Sequence, residues 1–164
     1  MKKKNLKELL IKCWMTHDGM WFFHCLQECG IEITNKINKA AVKSLAKIEI
    51  KRIQDAFNIE RIKSFGDLQD IIKDALDVFK ADFMGFKYLF PVKNHMHCEM
   101  DKCWAYDGIK RLGVIDEYEC GIFDRIDSWL DNLGIKYNVS PIIENCLMNV
   151  NGRCYRDYTF YFNE

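Results

Sequence analysis

Cysteine is the residue type best able to do chemistry in this sequence, and eight of them stand among 164 residues. Five fall in the last 67 positions: Cys98, Cys103, Cys120, Cys146 and Cys154. From Cys103 onward the separations are 17, 26 and 8 residues, and no CxxC pair occurs, so the simple zinc-finger spacing is absent. Thiolates are soft ligands. Four of them in a tetrahedron suit zinc, or iron in an iron–sulfur centre. A filled four-thiolate zinc shell has no open position, so such a site would be structural. The competing reading is that these are small buried hydrophobes, the commonest fate of a free cysteine. With nine Gly and two Pro, the chain is not a loop-rich disulfide framework.

The other candidates are histidines and tryptophans. His17 and Asp18 lie between Trp14 and Trp21. A histidine near a carboxylate in an aromatic pocket can act as a general base. Neighbours in a helix do not share a face, however, so a kinked helix with aromatic packing is the plainer reading. His95 and His97 are two apart on an expected strand and share one face. Cys98 and His97 are the reserve ligands. Cys25 and Cys29, four apart and near Cys13, read as helix packing. No P-loop, GxGxxG, HExxH or GxSxG pattern is present.

These residues need elements to hold them. Apolar positions at helical spacing predict a helix over 6–29, carrying Leu6, Leu9, Leu10, Cys13, Met20, Phe23 and Leu26 on one face, with Gly30 as its stop. Gly19 is a candidate kink. A second helix is expected over 34–57, capped by Thr34, with Ile37, Ala41, Leu45, Ile48 and Arg52 in line. A third starts at the capping-box pattern Ser64 to Asp67 and continues through Leu68, Ile71, Ile72, Ala75, Leu76, Phe79 and Phe83.

After Gly85 the period becomes two. Phe86, Tyr88 and Phe90, a turn at 91–94, then Met96, Cys98 and Met100 predict a β-hairpin. Short helices are expected over 103–112 and 122–133, each ended by a glycine. A strand is expected over 135–146, with Pro141 marking an edge or bulge, then a hairpin turn at Asn151-Gly152 and a terminal strand over 155–162. The expected class is α+β: a helical half over 1–83 packed on a cysteine-containing half over 84–164, with an antiparallel sheet of about four strands, in one domain. Cys103 and Cys120 then fall at helix starts, and Cys146 and Cys154 flank the turn. Element ends of one sheet can converge at one edge.

The stretch from Cys103 to Gly113 (CWAYDGIKRLG), followed by Cys120 and Asp124, resembles the L-2-amino-thiazoline-4-carboxylic acid hydrolase family. The ending Asn151-Gly152-Arg153-Cys154, with aromatics to Phe162, is similar to the close of that family and of 4-vinyl reductase-type domains. In the latter, a similar cysteine spacing carries zinc, with a glutamate three residues before the middle hairpin cysteine. Here Ile143 holds that place and Glu144 follows it, so Glu144 is a further reserve ligand and Cys103 could replace the missing carboxylate. The run from Cys13 to Phe22 (CWMTHDGMWF), with Ile48 to Arg52 (IEIKR), resembles an uncharacterised prokaryotic family related to that hydrolase. The resemblance implies a metal site, and hydrolysis of a small cyclic amidine or amide as the enzymatic alternative.

Lys+Arg and Asp+Glu both number 24, so no basic excess points to nucleic acid. The basic start at Lys2, Lys3 and Lys4 is not followed by an uninterrupted apolar stretch, and no run approaches a membrane span. A cytoplasmic protein with reduced thiols is expected. The sequence therefore points to a zinc-stabilised small-molecule-binding domain. Cys103, Cys120, Cys146 and Cys154 would be the metal ligands, and Trp14, His17, Asp18, Trp21 and Trp104 would line the pocket. An iron–sulfur or redox protein is a further alternative. A homodimer through the N-terminal helices is the oligomeric expectation.

Overall fold

The computed structural model describes residues 2–162. Its first element, α1 (Lys3–Phe57), is one long helix interrupted at Gly30. There φ is 75° and ψ is 173°, a combination essentially reserved for glycine. Gly19 stays helical, so the break falls where a stop was expected and not where a kink was. No loop follows it. Thr34 is inside the helix instead of capping it: its Oγ1 donates to the Gly30 carbonyl at 2.7 Å. Asn58, at φ 56°, ends the helix.

Both predicted faces of α1 are corrected. Leu6, Leu9, Leu10 and Met20 are exposed, and so is Cys13. The inward side carries Ile11, Trp14, Met15 and Phe22. Apolar residues fall on more than one side of this part of the helix, so spacing alone does not say which side is covered. Beyond the break, Ile37 and Ile48 are exposed, and the buried line is Thr34, Asn35, Ala46, Glu49, Ile50 and Ile53. Three polar residues on that line, Thr34, Asn35 and Glu49, disguise it.

Helix α2 (Phe65–Phe79) follows its sequence closely. Ser64 Oγ accepts from Asp67 N at 3.2 Å, and Asp67 Oδ2 accepts from Ser64 N at 2.9 Å, which satisfies two otherwise unpaired donors. Its buried stripe is Leu68, Ile71, Ile72, Ala75 and Leu76.

Strands β1 (Phe86–Leu89) and β2 (His95–Met100) form the expected hairpin. Helices α3 (Trp104–Arg111) and α4 (Ile122–Asn132) come next. Strand β3 (Lys136–Ser140) ends before Pro141, well short of residue 146. The chain then makes α5 (Leu147–Asn151), so Asn151-Gly152 closes a short helix and is not a hairpin turn. Strand β4 (Cys154–Tyr161) completes an antiparallel sheet ordered β1-β2-β4-β3. The result is α+β. One core joins both halves, with Ile50, Leu68, Ile71, Met96, Trp129 and Tyr158 all nearly solvent-free.

Helix α4 is the centre of this arrangement. It packs along α1, and Asp127 reaches the sheet, where its Oδ2 lies 2.9 Å from Arg156 Nη1 and its Oδ1 accepts from the Tyr158 hydroxyl at 2.9 Å. Burial raises the Asp127 pKa, and Arg156 opposes that shift. Among the described residues no helix is long and apolar enough to cross a membrane.

Candidate functional site: an aromatic cavity beside four thiols

The break at Gly30 lets one helix supply two parts of a wall. Trp14 and Asp18 come from before it, and Asn38, Val42 and Leu45 from after it. With Phe79 of α2, Phe86 and Met100 of the hairpin, Trp104 of α3 and Arg125 and Trp129 of α4, they line a half-open cavity of about 190 Å³. A dry cavity of about 150 Å³ holds benzene, so this one has room for a single ring with a small substituent.

One charged group is set into the aromatic wall. The Arg125 guanidinium lies 5.1 Å from the Trp14 ring centroid, 4.8 Å from Phe79 and 5.4 Å from Trp129. Its Nε and Nη2 donate to both oxygens of Glu49, at 2.8 and 2.5 Å. Glu49 is only 3% exposed and also accepts from Trp129 Nε1 at 3.1 Å. A fork-to-fork pair of this kind gives both oxygens of a buried carboxylate a donor. Asp18 stands at the cavity edge. Burial raises its pKa, while His17 and then Arg125 pull it back.

The expected pocket residues divide. Trp14, Asp18 and Trp104 line the cavity. Trp21 is 63% exposed and donates from Nε1 to His17 Nε2 at 3.1 Å, so these two form a surface pair outside it. His17 Nδ1 approaches Asp18 Oδ1 to 3.8 Å without a helix break between them, too long for a hydrogen bond. Sequence reasoning missed Arg125 and Glu49. The available signal was an acidic residue on the helical line that links Ala46 to Ile53.

The four cysteines gather behind the Trp104 side of the cavity. Cys103 caps α3, its Sγ accepting from Tyr106 N at 3.4 Å. Cys120 precedes α4, Cys146 immediately precedes α5 without a side-chain cap, and Cys154 opens β4. Each is close enough to others of the set for their charges to interact. Burial is the largest influence, pushing Cys120 and Cys154 up to about 12 and raising Cys103 as well. Tyr118, not foreseen from the sequence, is buried against the same thiols. All eight cysteines are free. Among the described residues no three His, Cys, Asp or Glu side chains meet in an arrangement that could hold a metal ion. The donor type thus suits a soft metal, but among the described residues the sulfurs do not form a coordination shell as they stand.

The reserve ligands lie elsewhere. Cys98 is in the core on the inner face of β2, pushed up to about 12 by burial. His97 is on the opposite face, 2.7 Å from Asp157 and stacked on Tyr155. Glu144 is exposed. Asp124 pairs with Lys43 at 3.3 Å. Cys13 and Cys29 are exposed and Cys25 half-buried, which corrects their reading as helix packing.

Fold and site together define an α+β protein whose broken N-terminal helix closes an aromatic cavity against a helix-covered antiparallel sheet. The chain belongs to a family of unknown function, DUF6125, whose model matches residues 2–124. That span includes Cys103 and Cys120 and stops short of Arg125, Cys146 and Cys154. No curated protein and no solved structure matches the chain.

Proposed function

We propose that the protein is a small-molecule-binding domain stabilised by zinc. The observation that carries the first half is the cavity itself. Its walls are aromatic, its polar groups are few, and its volume suits one ring. Because Arg125 is already paired with Glu49 behind it, and the other charged lining groups, Asp18 and Lys80, are of opposite sign, the wall favours a planar ligand without net charge.

The second half rests on the donor set. Four sulfurs from four element ends interact electrostatically, and the one carboxylate felt by the set is Asp107, acting on Cys103. A divalent cation would relieve the burial penalty on the thiolates and draw them together, tying α3, the start of α4, α5 and β4 to one point. A hydrolase using one of these thiols is less well supported, since buried thiols with raised pKa are poor nucleophiles at neutral pH.

Metal analysis of protein purified without a chelating tag tests the zinc. About one equivalent, lost in Cys120→Ser or Cys154→Ser, is expected. Iron with visible absorbance would replace zinc by an iron–sulfur centre, and no metal with unchanged stability in both variants would end the metal reading. Thermal shifts with single-ring heteroaromatic fragments test the cavity. Stabilisation that disappears in Trp14→Ala and Phe79→Ala supports it, and no stabilisation by any fragment overturns it.

A further inference from the structure

We propose that the outward face of the first part of α1 is the interface of an antiparallel homodimer. Leu6, Leu9, Leu10, Met20 and Trp21 are 44–63% exposed there, with Cys13 among them. Leu6, Leu10, Cys13 and Met20 are separated by 4, 3 and 7 residues, the a/d spacing of a coiled-coil seam. The inward side of this segment is already filled by its own chain, through Ile11, Trp14, Met15 and Phe22. The exposed seam is therefore surplus to the monomer's core.

Charge selects a second copy as the occupant and fixes its direction. Residues 2–12 hold five lysines (Lys2, Lys3, Lys4, Lys7, Lys12) and Glu8, so +5 − 1 gives +4. Residues 13–29 hold Asp18 and Glu28 and no Lys or Arg, giving −2. This first part of the helix is thus basic at its start and acidic from there to the break, with Lys4 also paired to Asp82 of its own chain. A parallel pair sets like charge on like, whereas an antiparallel pair sets the basic start of each copy against the acidic stretch of the other. Such a pair is self-complementary about a two-fold axis. With the axis level with Met15, which layers a against d positions, Leu10 faces Met20 of the other copy, Cys13 faces His17, Lys12 falls beside Asp18 and Lys2 beside Glu28.

Sedimentation equilibrium of the full chain at about 100 µM in low salt reads the outcome. The expected mass is twice 19.4 kDa, falling to one chain in Leu10→Glu and in Met20→Glu with unchanged circular dichroism. Raising the salt should shift the wild type toward monomer. A wild-type monomer assigns the face to some other partner and overturns the proposal, as does a dimer that survives both substitutions. Direction is read separately, in a Cys13→Ser, Cys25→Ser, Cys29→Ser background treated with oxidised glutathione. Leu10→Cys together with Met20→Cys should give a covalent dimer, because positions 10 and 20 meet across the axis. Two copies of either position are about 15 Å apart along the helix, beyond disulfide reach. A covalent dimer through either cysteine alone would mean a parallel pair and would overturn it.

Discussion

Arg125 and Asp127 stand two residues apart on α4 and tie that helix to opposite sides of the molecule. Two residues turn a helix by about 200°, so the guanidinium meets Glu49 of α1 while the carboxylate meets Arg156 of β4. Each ion pair is flanked by rings, Trp14, Phe79 and Trp129 on one side and Phe123 and Tyr158 on the other. The N-terminal half and the sheet are thus joined through one short helix, by charges that solvent hardly reaches.

Glu49→Ala should cost about 3–5 kcal/mol, because it leaves Arg125 charged against an apolar wall and Trp129 Nε1 without its acceptor. Urea denaturation gives the value. A loss below about 1 kcal/mol would mean that the pair behaves as a solvated surface bridge.

Gly30→Ala and Gly19→Ala should act in opposite directions, although a methyl group would touch nothing within 4 Å at either site. At Gly30 the backbone itself is strained for any other residue, so a loss of about 1–3 kcal/mol is expected. At Gly19 the backbone is helical and exchange for alanine should gain about 0.5–1 kcal/mol. Parallel thermal melts of the two variants decide the matter. Equal effects would contradict the break.

Stability should fall in alkali. The Cys98 thiol is raised by burial from 9.0 to about 12 in the folded chain. The folded state therefore holds its proton more tightly than the unfolded one. The resulting stabilisation is complete below pH 9 and is lost as the pH rises from 9.0 through about 12. Tyr158, also raised by burial, acts with the same sign. Urea midpoints across this range should decline less steeply in Cys98→Ala than in the wild type. Identical slopes would show that Cys98 titrates normally.

Thiol labelling should separate the cysteines by place. In dilute solution Cys13 and Cys29 should react rapidly with a disulfide reagent, while Cys98, Cys103, Cys146 and Cys154 should wait for the structure to open. Peptide mapping after brief exposure identifies them. Early modification of Cys146 or Cys154 would contradict the burial of the cluster.

Much of the architecture could be read from local chemistry. Ser64 and Asp67 announce α2 because a capping box acts within four residues, and the glycine at position 30 marks the break because no other residue tolerates it. The four thiols were identifiable because element ends were, even though α5 was mistaken for a turn. What stayed hidden depended on residues far apart in sequence. Nothing near Glu49 reveals that Arg125 will neutralise it, and nothing near Asn35 reveals its bonds to the backbone of Glu117 and Glu119. Polar residues with distant partners look like solvent-facing ones. Conversely, Leu6, Leu10 and Met20 read as core because periodicity reports an apolar side without saying what covers it.

Asn35 also governs the order of assembly. Its side chain donates to the Glu117 carbonyl at 2.8 Å and accepts from Glu119 N at 3.2 Å, more than 80 residues downstream. Glu49 likewise waits for Arg125, 76 residues later. The long helix is made first on the ribosome, yet two residues on its inner line lack their partners until the segment before α4, for Asn35, and α4 itself, for Glu49, have been synthesised. Its secondary structure can form early, but its docking cannot. Folding should therefore be late and concerted, with the N-terminal half held open until most of the chain has emerged.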